Sequence, residues 1–197
     1  MAKYICGGTF PTDFLLPDIF YYILIIIKTR IKINYEVRII MEKEAFMQAA
    51  IEESRHNLEA NEGGPFGAVI VKNGKIIGRG HNQVLAKNDP TCHAEIQAIR
   101  SACGQIGTYD LTGCQLYTSC YPCPMCLSAI IWANIKQVFY ANTADDAAGI
   151  GFRDDFIYRF IEGNCQDAAV LELTGTGRTD AIKIFKLFEQ KTDKTIY

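Results

Sequence analysis

The chain has 197 residues, of which 49% are hydrophobic and 21% are charged, and its formal net charge is −2. This composition predicts a soluble globular protein with a sizeable core, and it argues against a broad nucleic-acid surface, which would carry clustered lysine and arginine. The eight cysteines are clustered within an apolar chain, which fits a secreted disulfide scaffold poorly. We therefore expect a reducing, cytoplasmic setting.

Residues 1–40 differ in character from the rest of the chain. They contain the apolar run IFYYILIII at positions 19–27, which is too short to span a bilayer and follows Pro17 and Asp18. No small-residue cleavage site follows this run, which argues against a signal peptide. Met41 is predicted to begin an amphipathic helix. We expect residues 1–40 to be dispensable, or Met41 to be the true start. The alternative is a weak membrane-surface or partner-binding segment.

Helices and strands alternate in the prediction for residues 41–197. The first helix ends before Gly63-Gly64, and His56 on it is predicted to face solvent rather than bind a ligand. Two apolar strands then flank Asn73-Gly74, a strong hairpin signal. The later elements are a helix over CHAEIQAIRSACGQ, a strand over CQLYTSC, a helix over PMCLSAIIWANI, a strand over KQVFYAN, a short helix near RDDFIYRFIEG, a strand over AAVLEL and a closing helix over about 179–190. This order predicts one α/β domain over 41–197, a three-layer α/β/α fold with a central mixed five-stranded sheet.

Two predicted helix starts carry side chains that can bind a metal. His93 stands at one of them, and Cys123 and Cys126 stand at the other, within CYPCPMC. The positive end of a helix lowers thiol pKa values, and a spacing of three brings both sulfurs to one side of the first turn. An imidazole from the neighbouring helix start completes a Cys2His set. Three protein ligands leave the fourth position on zinc open, which is the catalytic arrangement. We therefore predict one catalytic Zn²⁺ per chain.

Glu95, two residues beyond His93, is a residue that a purely structural zinc site would not need. A carboxylate there can accept a proton from water and deliver protons to a ring nitrogen and a leaving amine. The combination of H-x-E with P-C-x-x-C is the signature of zinc deaminases.

These cysteines allow three other interpretations. A closed structural zinc site would add Cys120 as a fourth ligand, but it leaves Glu95 without a role. A thioredoxin-like redox pair takes no account of the H-x-E helix, and a disulfide between Cys123 and Cys126 is not expected in a reducing cytosol. The combined pattern favours catalytic zinc.

On His93-Ala94-Glu95 and Pro122-Cys123-Pro124-Met125-Cys126, the chain resembles the cytidine-deaminase-like superfamily over about residues 41–197. Four segments, GGPFGAVIV, GHNQVLAKNDPT, LYTSCYPCPMCLSAI and AGIGFRDDFIY, are similar to the bacterial guanine deaminases of this fold. The resemblance implies hydrolytic deamination of a free purine base, with guanine giving xanthine and ammonia. It also implies this superfamily's α/β fold and its zinc.

The same resemblance implies roles for residues outside the signature. The residue matching Asn82 hydrogen-bonds the purine, the residue matching Phe66 stacks on the ring, and the residue matching Asp154 helps to hold the base. An amide NH2 can reach ring acceptors and a carboxylate can take ring N–H donors, so the roles are chemically reasonable. The alternatives are that Asn82 caps a loop, that Phe66 is a core residue, and that Asp154 or Asp155 is a surface charge.

The remaining expectations concern the rim of the site and the assembly. The resemblance implies a homodimer with an exchanged C-terminal segment, in which Tyr197 would cover the partner's pocket unless it is an ordinary terminus. Ala94, between the two signature residues, is a further expected substrate contact. Tyr121 stands where Glu commonly precedes Pro-Cys, and Cys92 stands where Ala commonly precedes His. Guanosine, cytosine and tRNA wobble adenosine therefore stay open as alternative substrates. Neither a nucleic-acid nor a membrane partner is expected.

Overall fold

The computed structural model describes the backbone of residues 16–196 and the side chains of residues 21–196 except 23, 34 and 39. Two compact units make up the chain, one ending at Asn142 and the other beginning at Thr143, and each is described by itself. The first unit contains α1 (Leu16–Arg55), α2 (Asn57–Ala60), β1 (Gly67–Lys72), β2 (Lys75–His81), α3 (Val84–Lys87), α4 (Ala94–Ile106), β3 (Gln115–Cys120), α5 (Pro124–Trp132) and β4 (Gln137–Asn142). The second contains α6 (Ala144–Gly149), α7 (Asp155–Glu162) and α8 (Arg178–Gln190). The prediction of a single domain over 41–197 stays a prediction.

The first unit is built on a mixed sheet with the strand order β2-β1-β3-β4. Strand β1 pairs antiparallel with β2 and with β3, whereas β3 pairs parallel with β4. The β1–β2 connection is the predicted hairpin: Lys72 pairs with Lys75, and both intervening residues, Asn73 and Gly74, have positive φ, 51° and 72°. Two such residues in succession make a turn whose twist matches that of the strands, which is why Asn-Gly is favoured there.

The prediction of a fifth strand over residues 168–173 is wrong, because the described sheet has four strands. The backbone N–H groups of Val170 and Leu171 both donate to the carbonyl oxygen of Asp167, over 3.0 and 3.1 Å. The N–H of Ala169 donates to Asp167 Oδ1 over 3.0 Å. A local turn therefore uses the donors that a strand ladder would need, although the apolar composition suits a strand.

Helices cover both faces of the sheet, which confirms the predicted α/β class. Because successive side chains of a strand point to opposite faces, Ala68 and Ile70 of β1 pack with α4 and α5, while Val69 and Val71 pack with α1. The first cluster also includes Ala94, Ala98, Ala102, Leu116 and Ile130, and the second includes Phe46, Met47, Ala50 and Tyr117.

Helix α1 is longer than predicted. It runs through Met41 without a break, so the prediction that a helix begins there is wrong. Its apolar contacts with the sheet lie beyond that point and include Phe46, Met47 and Ala50, whereas every described side chain from 21 to 41 is exposed. Within residues 16–196, no helix combines the length and the apolarity that crossing a membrane requires.

Glycines in β2 let α4 lie directly on the sheet. A Cβ on Gly80 would stand 2.5 Å from both the Ala94 oxygen and the Ala98 nitrogen, and one on Gly78 would stand 2.5 Å from the Ala98 oxygen. Only a residue without a side chain permits this approach. The close packing fixes where α4 begins, and α4 begins immediately after His93.

Candidate active site

Two helix starts place the predicted metal ligands. His93 is the N-cap residue of α4, with φ −70° and ψ 159°, and Cys123 is the N-cap residue of α5, with φ −66° and ψ 167°. Pro124 follows at the first helical position, where its missing N–H costs nothing and its fixed φ suits the helix. The ligands therefore lie where the positive ends of two helices favour thiolate and carboxylate.

The structure brings His93, Cys123 and Cys126 together. Nδ1 of His93 lies 3.5 Å from Cys123 Sγ and 3.7 Å from Cys126 Sγ. With Zn–S near 2.3 Å and Zn–N near 2.0 Å, a tetrahedral zinc would hold nitrogen and sulfur about 3.6 Å apart, so the set fits this metal. Among the residues that the structure describes, the cluster has three ligands; Cys120, the fourth ligand of the structural-site interpretation, is not among them.

The pKa values of the two cysteine thiols are shifted in opposite directions. Hydrogen bonds from the Cys126 thiol and from His93 lower the pKa of Cys123 to about 4. The pKa of Cys126 is raised, because hydrogen bonding to Cys123 favours its protonated form and because the side chain is buried. The pair thus offers one ready thiolate, and a bound cation would displace the second proton.

Glu95 lies beside these ligands in the first turn of α4, and only 5% of it is exposed. Its Oε1 accepts a hydrogen bond from Thr118 Oγ1 and its Oε2 accepts one from Cys126 Sγ, both over 3.4 Å. Burial raises the pKa of this carboxyl. Burial thus favours the protonated form of this carboxyl, which lies where a general acid and base could act beside a metal-bound water.

Asn82, the predicted purine contact, is 4% exposed at the end of β2. The side-chain Oδ1 of Asn82 accepts a hydrogen bond from the backbone N–H of Val84 over 3.1 Å. The backbone N–H of Asn82 donates to the backbone carbonyl oxygen of Phe66 over 3.0 Å. The loop-capping interpretation is therefore correct for the side-chain oxygen. Any hydrogen bond that this side chain donates to a ligand comes from its NH2 group.

Asn57, a residue that the sequence analysis did not identify, holds the backbone at Asn82 by a hydrogen bond. Its Nδ2 donates to the Gly64 oxygen over 2.8 Å and to the Asn82 oxygen over 2.7 Å. Its Oδ1 is buried, with no hydrogen-bond partner among the described residues. A Cβ on Gly63 would stand 2.0 Å from Asn82 Oδ1, so this loop also encloses Asn82. Asn57 lies among polar and charged residues, and nothing in that pattern distinguished it.

The other predicted substrate contacts have varied surroundings. Phe66 is half-buried and packs against the core, in keeping with the core interpretation, and the side chain of Ala94 is fully buried. Asp154 is the N-cap residue of α7 in the second unit, where it lines an open cavity of about 450 Å³. Asp155, the alternative carboxylate, pairs with arginines 153 and 159. Tyr197 lies outside the described residues.

The two unusual residues near the site differ in exposure. Cys92 is 1% exposed, donates to Asp89 Oδ2 over 3.1 Å and accepts from Arg100 Nη1 over 3.5 Å. Tyr121 is partly exposed, and its ring contacts Tyr140 edge-on with centroids 5.0 Å apart. Cys92 therefore packs behind the metal ligand that follows it.

Comparisons with known proteins agree with this geometry. The family model of the cytidine and deoxycytidylate deaminase zinc-binding region matches residues 41–142. The guanine deaminase of Bacillus subtilis strain 168 is 46% identical over 155 residues, which are 78% of this chain and 99% of that protein. An X-ray structure of guanine deaminase from Bacillus subtilis matches with a TM-score of 0.73 and 44% identity, covering 78% of this chain and 98% of that one. The tRNA-specific adenosine deaminase of Aquifex aeolicus is 43% identical over 110 residues, 56% of this chain and 72% of that protein.

With the signature, the fit of the three ligands to zinc and these matches in agreement, the chain belongs to the cytidine and deoxycytidylate deaminase zinc-binding family.

Proposed function

We propose that this protein is a zinc-dependent guanine deaminase, which converts guanine and water into xanthine and ammonia. The observation that carries the proposal is the buried Glu95 carboxyl, hydrogen-bonded to Cys126 within a histidine–cysteine–cysteine cluster that fits zinc. Guanine is supported as the substrate because the guanine deaminase of Bacillus subtilis aligns over 99% of its own length. The second candidate function is deamination of adenosine in tRNA. It has less support, because the tRNA-specific adenosine deaminase of Aquifex aeolicus aligns over only 56% of this chain.

Glu95 moves the protons of the proposed reaction. His93, Cys123 and Cys126 would hold the zinc, which would serve as a Lewis acid and lower the pKa of a bound water to about 7. As the water oxygen bonds to C2 of guanine, Glu95 takes a proton from it and passes this proton to ring nitrogen N3. The carboxylate then transfers the second proton to the amine as the C2–N bond breaks. The products are ammonia and xanthine, and Glu95 ends in the state in which it began.

Asn82 and Phe66 hold the base in this proposal. The Asn82 oxygen is engaged by the Val84 N–H, which fixes the orientation of its NH2 group toward an acceptor on the purine. Phe66 provides a ring face for stacking. The backbone N–H of Ala94, the carboxylate of Asp154 and the ring of Tyr197 complete the proposed set of contacts.

The test is ammonia release by the zinc-loaded protein from guanine, guanosine, adenine, cytosine and cytidine, with a tRNA anticodon stem-loop as a further substrate. We expect guanine to be turned over, and Glu95→Gln to lower kcat by about 10²–10⁴-fold with zinc retained. Glu59→Gln, which makes the same change at an exposed glutamate, is the control. Turnover of the stem-loop without turnover of guanine would contradict the proposed substrate.

A cytoplasmic homodimer with exchanged C-terminal segments completes the proposal. It is supported by apolar side chains exposed on α8, among them Ile184, Phe185 and Leu187, because exposed apolar patches commonly mark interfaces. A reducing cytoplasm would keep the ligand thiols available to zinc. Light scattering should give twice the chain mass of 22.0 kDa; a fully active 22.0 kDa species would rule the dimer out. Cell fractionation tests the compartment.

A further inference from the structure

The chain has three histidines, and His93 belongs to the active site. The other two meet at a separate place in the first unit. His56 stands between α1 and α2, Glu62 follows α2, and His81 is the last residue of β2. Their ligand atoms all lie within 4.8 Å of one another. We call this group the His56–Glu62–His81 cluster.

The distances in the cluster suit a shared cation. His81 Nε2 lies 2.9 Å from Glu62 Oε2, and His56 Nε2 lies 4.0 Å from Glu62 Oε1. Nitrogen and oxygen ligands of a tetrahedral zinc stand about 3.3 Å apart, which falls between these two values. His56 is half-exposed, and a shift of its ring by a fraction of an ångström would bring Nε2 to that spacing from Glu62 Oε1. The cluster is therefore close to a coordinating arrangement.

Neighbouring side chains support the two more buried members. His81 Nδ1 lies 3.8 Å from Glu53 Oε2, so when Nε2 faces Glu62 a carboxylate stands at the other ring nitrogen. Metal-binding histidines usually have such a carboxylate, which orients the ring and makes it a better donor. Gln83 Nε2 donates to Glu62 Oε2 over 2.8 Å, which fixes the orientation of this carboxyl group toward the two histidines.

The cluster brings two imidazole rings together beside two carboxylates. The rings of His56 and His81 have centroids 4.3 Å apart, so two protonated imidazoles would repel each other there. Two neutral imidazoles, by contrast, present nitrogen lone pairs to one cation while Glu62 and Glu53 supply negative charge. Two nitrogens in a set of three favour zinc and related transition metals over magnesium or calcium, which take oxygen ligands.

We propose that His56, Glu62 and His81 bind a second divalent cation of the zinc class, with Glu53 orienting the ring of His81. The ion would tie the segment after α1 to the end of β2. The ion would also help to hold α3 in place, because the backbone N–H groups of Leu85 and Ala86 donate to the backbone carbonyl oxygen of Glu62 over 2.9 and 3.1 Å. The site stands on its own ligands and does not depend on the proposed deaminase activity.

The experiment titrates zinc and then cobalt into the zinc-loaded full chain, with equilibrium dialysis to count bound metal. Wild-type protein should hold two equivalents. His56→Gln and the double variant H56Q/H81Q should hold one equivalent, whereas Glu59→Gln, an exposed glutamate one turn from the cluster, should keep two. His56→Gln changes a half-exposed side chain and should fold normally, which unchanged circular dichroism would verify.

Cobalt identifies the ligands of the second ion. Cobalt in the second site should show d–d absorption from nitrogen and oxygen ligands, with no sulfur-to-cobalt charge-transfer band. A charge-transfer band would place cobalt at the cysteines instead and would overturn the proposal. One equivalent in wild type, or two equivalents retained in H56Q/H81Q, would overturn it equally, and neither readout requires catalytic turnover.

Discussion

At the scale of single residues, hydrogen bonds made by buried polar side chains hold the residues of the candidate site in position. Thr118 on β3 donates to Glu95, and Ser119 beside it accepts from the Gly67 N–H over 3.0 Å. Asn57 joins the loop at Gly64 to the end of β2 at Asn82. Each of these side chains is buried, so water cannot replace the bond that a substitution removes.

Asn57→Ala should destabilise the protein and weaken substrate binding. It leaves two buried carbonyl oxygens without their donor, which costs about 1–3 kcal/mol in the free energy of unfolding. Because Asn82 loses its support, KM for the base should rise more than kcat falls. Urea unfolding and steady-state kinetics measure the two effects. Leu58→Ala, at an exposed neighbour, should change neither. Unchanged stability in Asn57→Ala would contradict this role.

At the scale of elements, the site depends on how closely α4 packs on β2. The start of α4 carries His93 and Glu95, and its distance from the sheet is set by Gly78 and Gly80. The start of α5 carries Cys123 directly after β3, whose last residue is Cys120. The same sheet therefore positions both helix starts that carry predicted ligands. A shift of either helix would separate these ligands.

Gly80→Ala should displace α4 and impair zinc binding. Its new Cβ would lie 2.5 Å from the Ala94 oxygen and the Ala98 nitrogen, which are backbone atoms that cannot rotate away. Overpacking of this kind costs about 1–3 kcal/mol or more. Gly104→Ala, on the same helix with open space around it, should instead raise stability by about 0.5–1 kcal/mol. Thermal unfolding and bound zinc distinguish the two variants; equal zinc content and equal stability would refute the packing argument.

At the scale of the whole molecule, the family match begins where the helix shows no boundary. The match covers residues 41–142, yet α1 passes through Met41 as one helix from Leu16 to Arg55. The side chains of α1 that pack against the sheet lie at Phe46, Met47 and Ala50. The described side chains before them contribute nothing to either core cluster.

A chain beginning at Met41 should keep the melting temperature, zinc content and turnover of the full chain, because it retains the contacts that the described side chains of α1 make with the core of the sheet. A chain beginning at Asn57 provides the comparison. It lacks Phe46 and Ala50, so one face of the sheet is uncovered, and it should fail to fold stably. Loss of turnover on removal of residues 1–40 would instead assign that segment a function.

The sequence by itself determined the features that depend on neighbours along the chain. The spacing of His93 from Glu95 and of Cys123 from Cys126 places each pair on one helical turn, and Asn73-Gly74 specifies its hairpin locally. These patterns, with the family resemblance, were enough to predict the α/β class and the three side chains that the structure brings together as a candidate zinc site.

Only the tertiary structure decided the features that join distant segments. Residues 168–173 have strand-like composition, but hydrogen bonds to Asp167 commit them to a turn. Asn57 reaches Asn82 across 25 positions, and His81 meets Glu62 across 19. Such contacts depend on how helices and strands pack together. The hydrophobic periodicity of a single segment does not predict that packing.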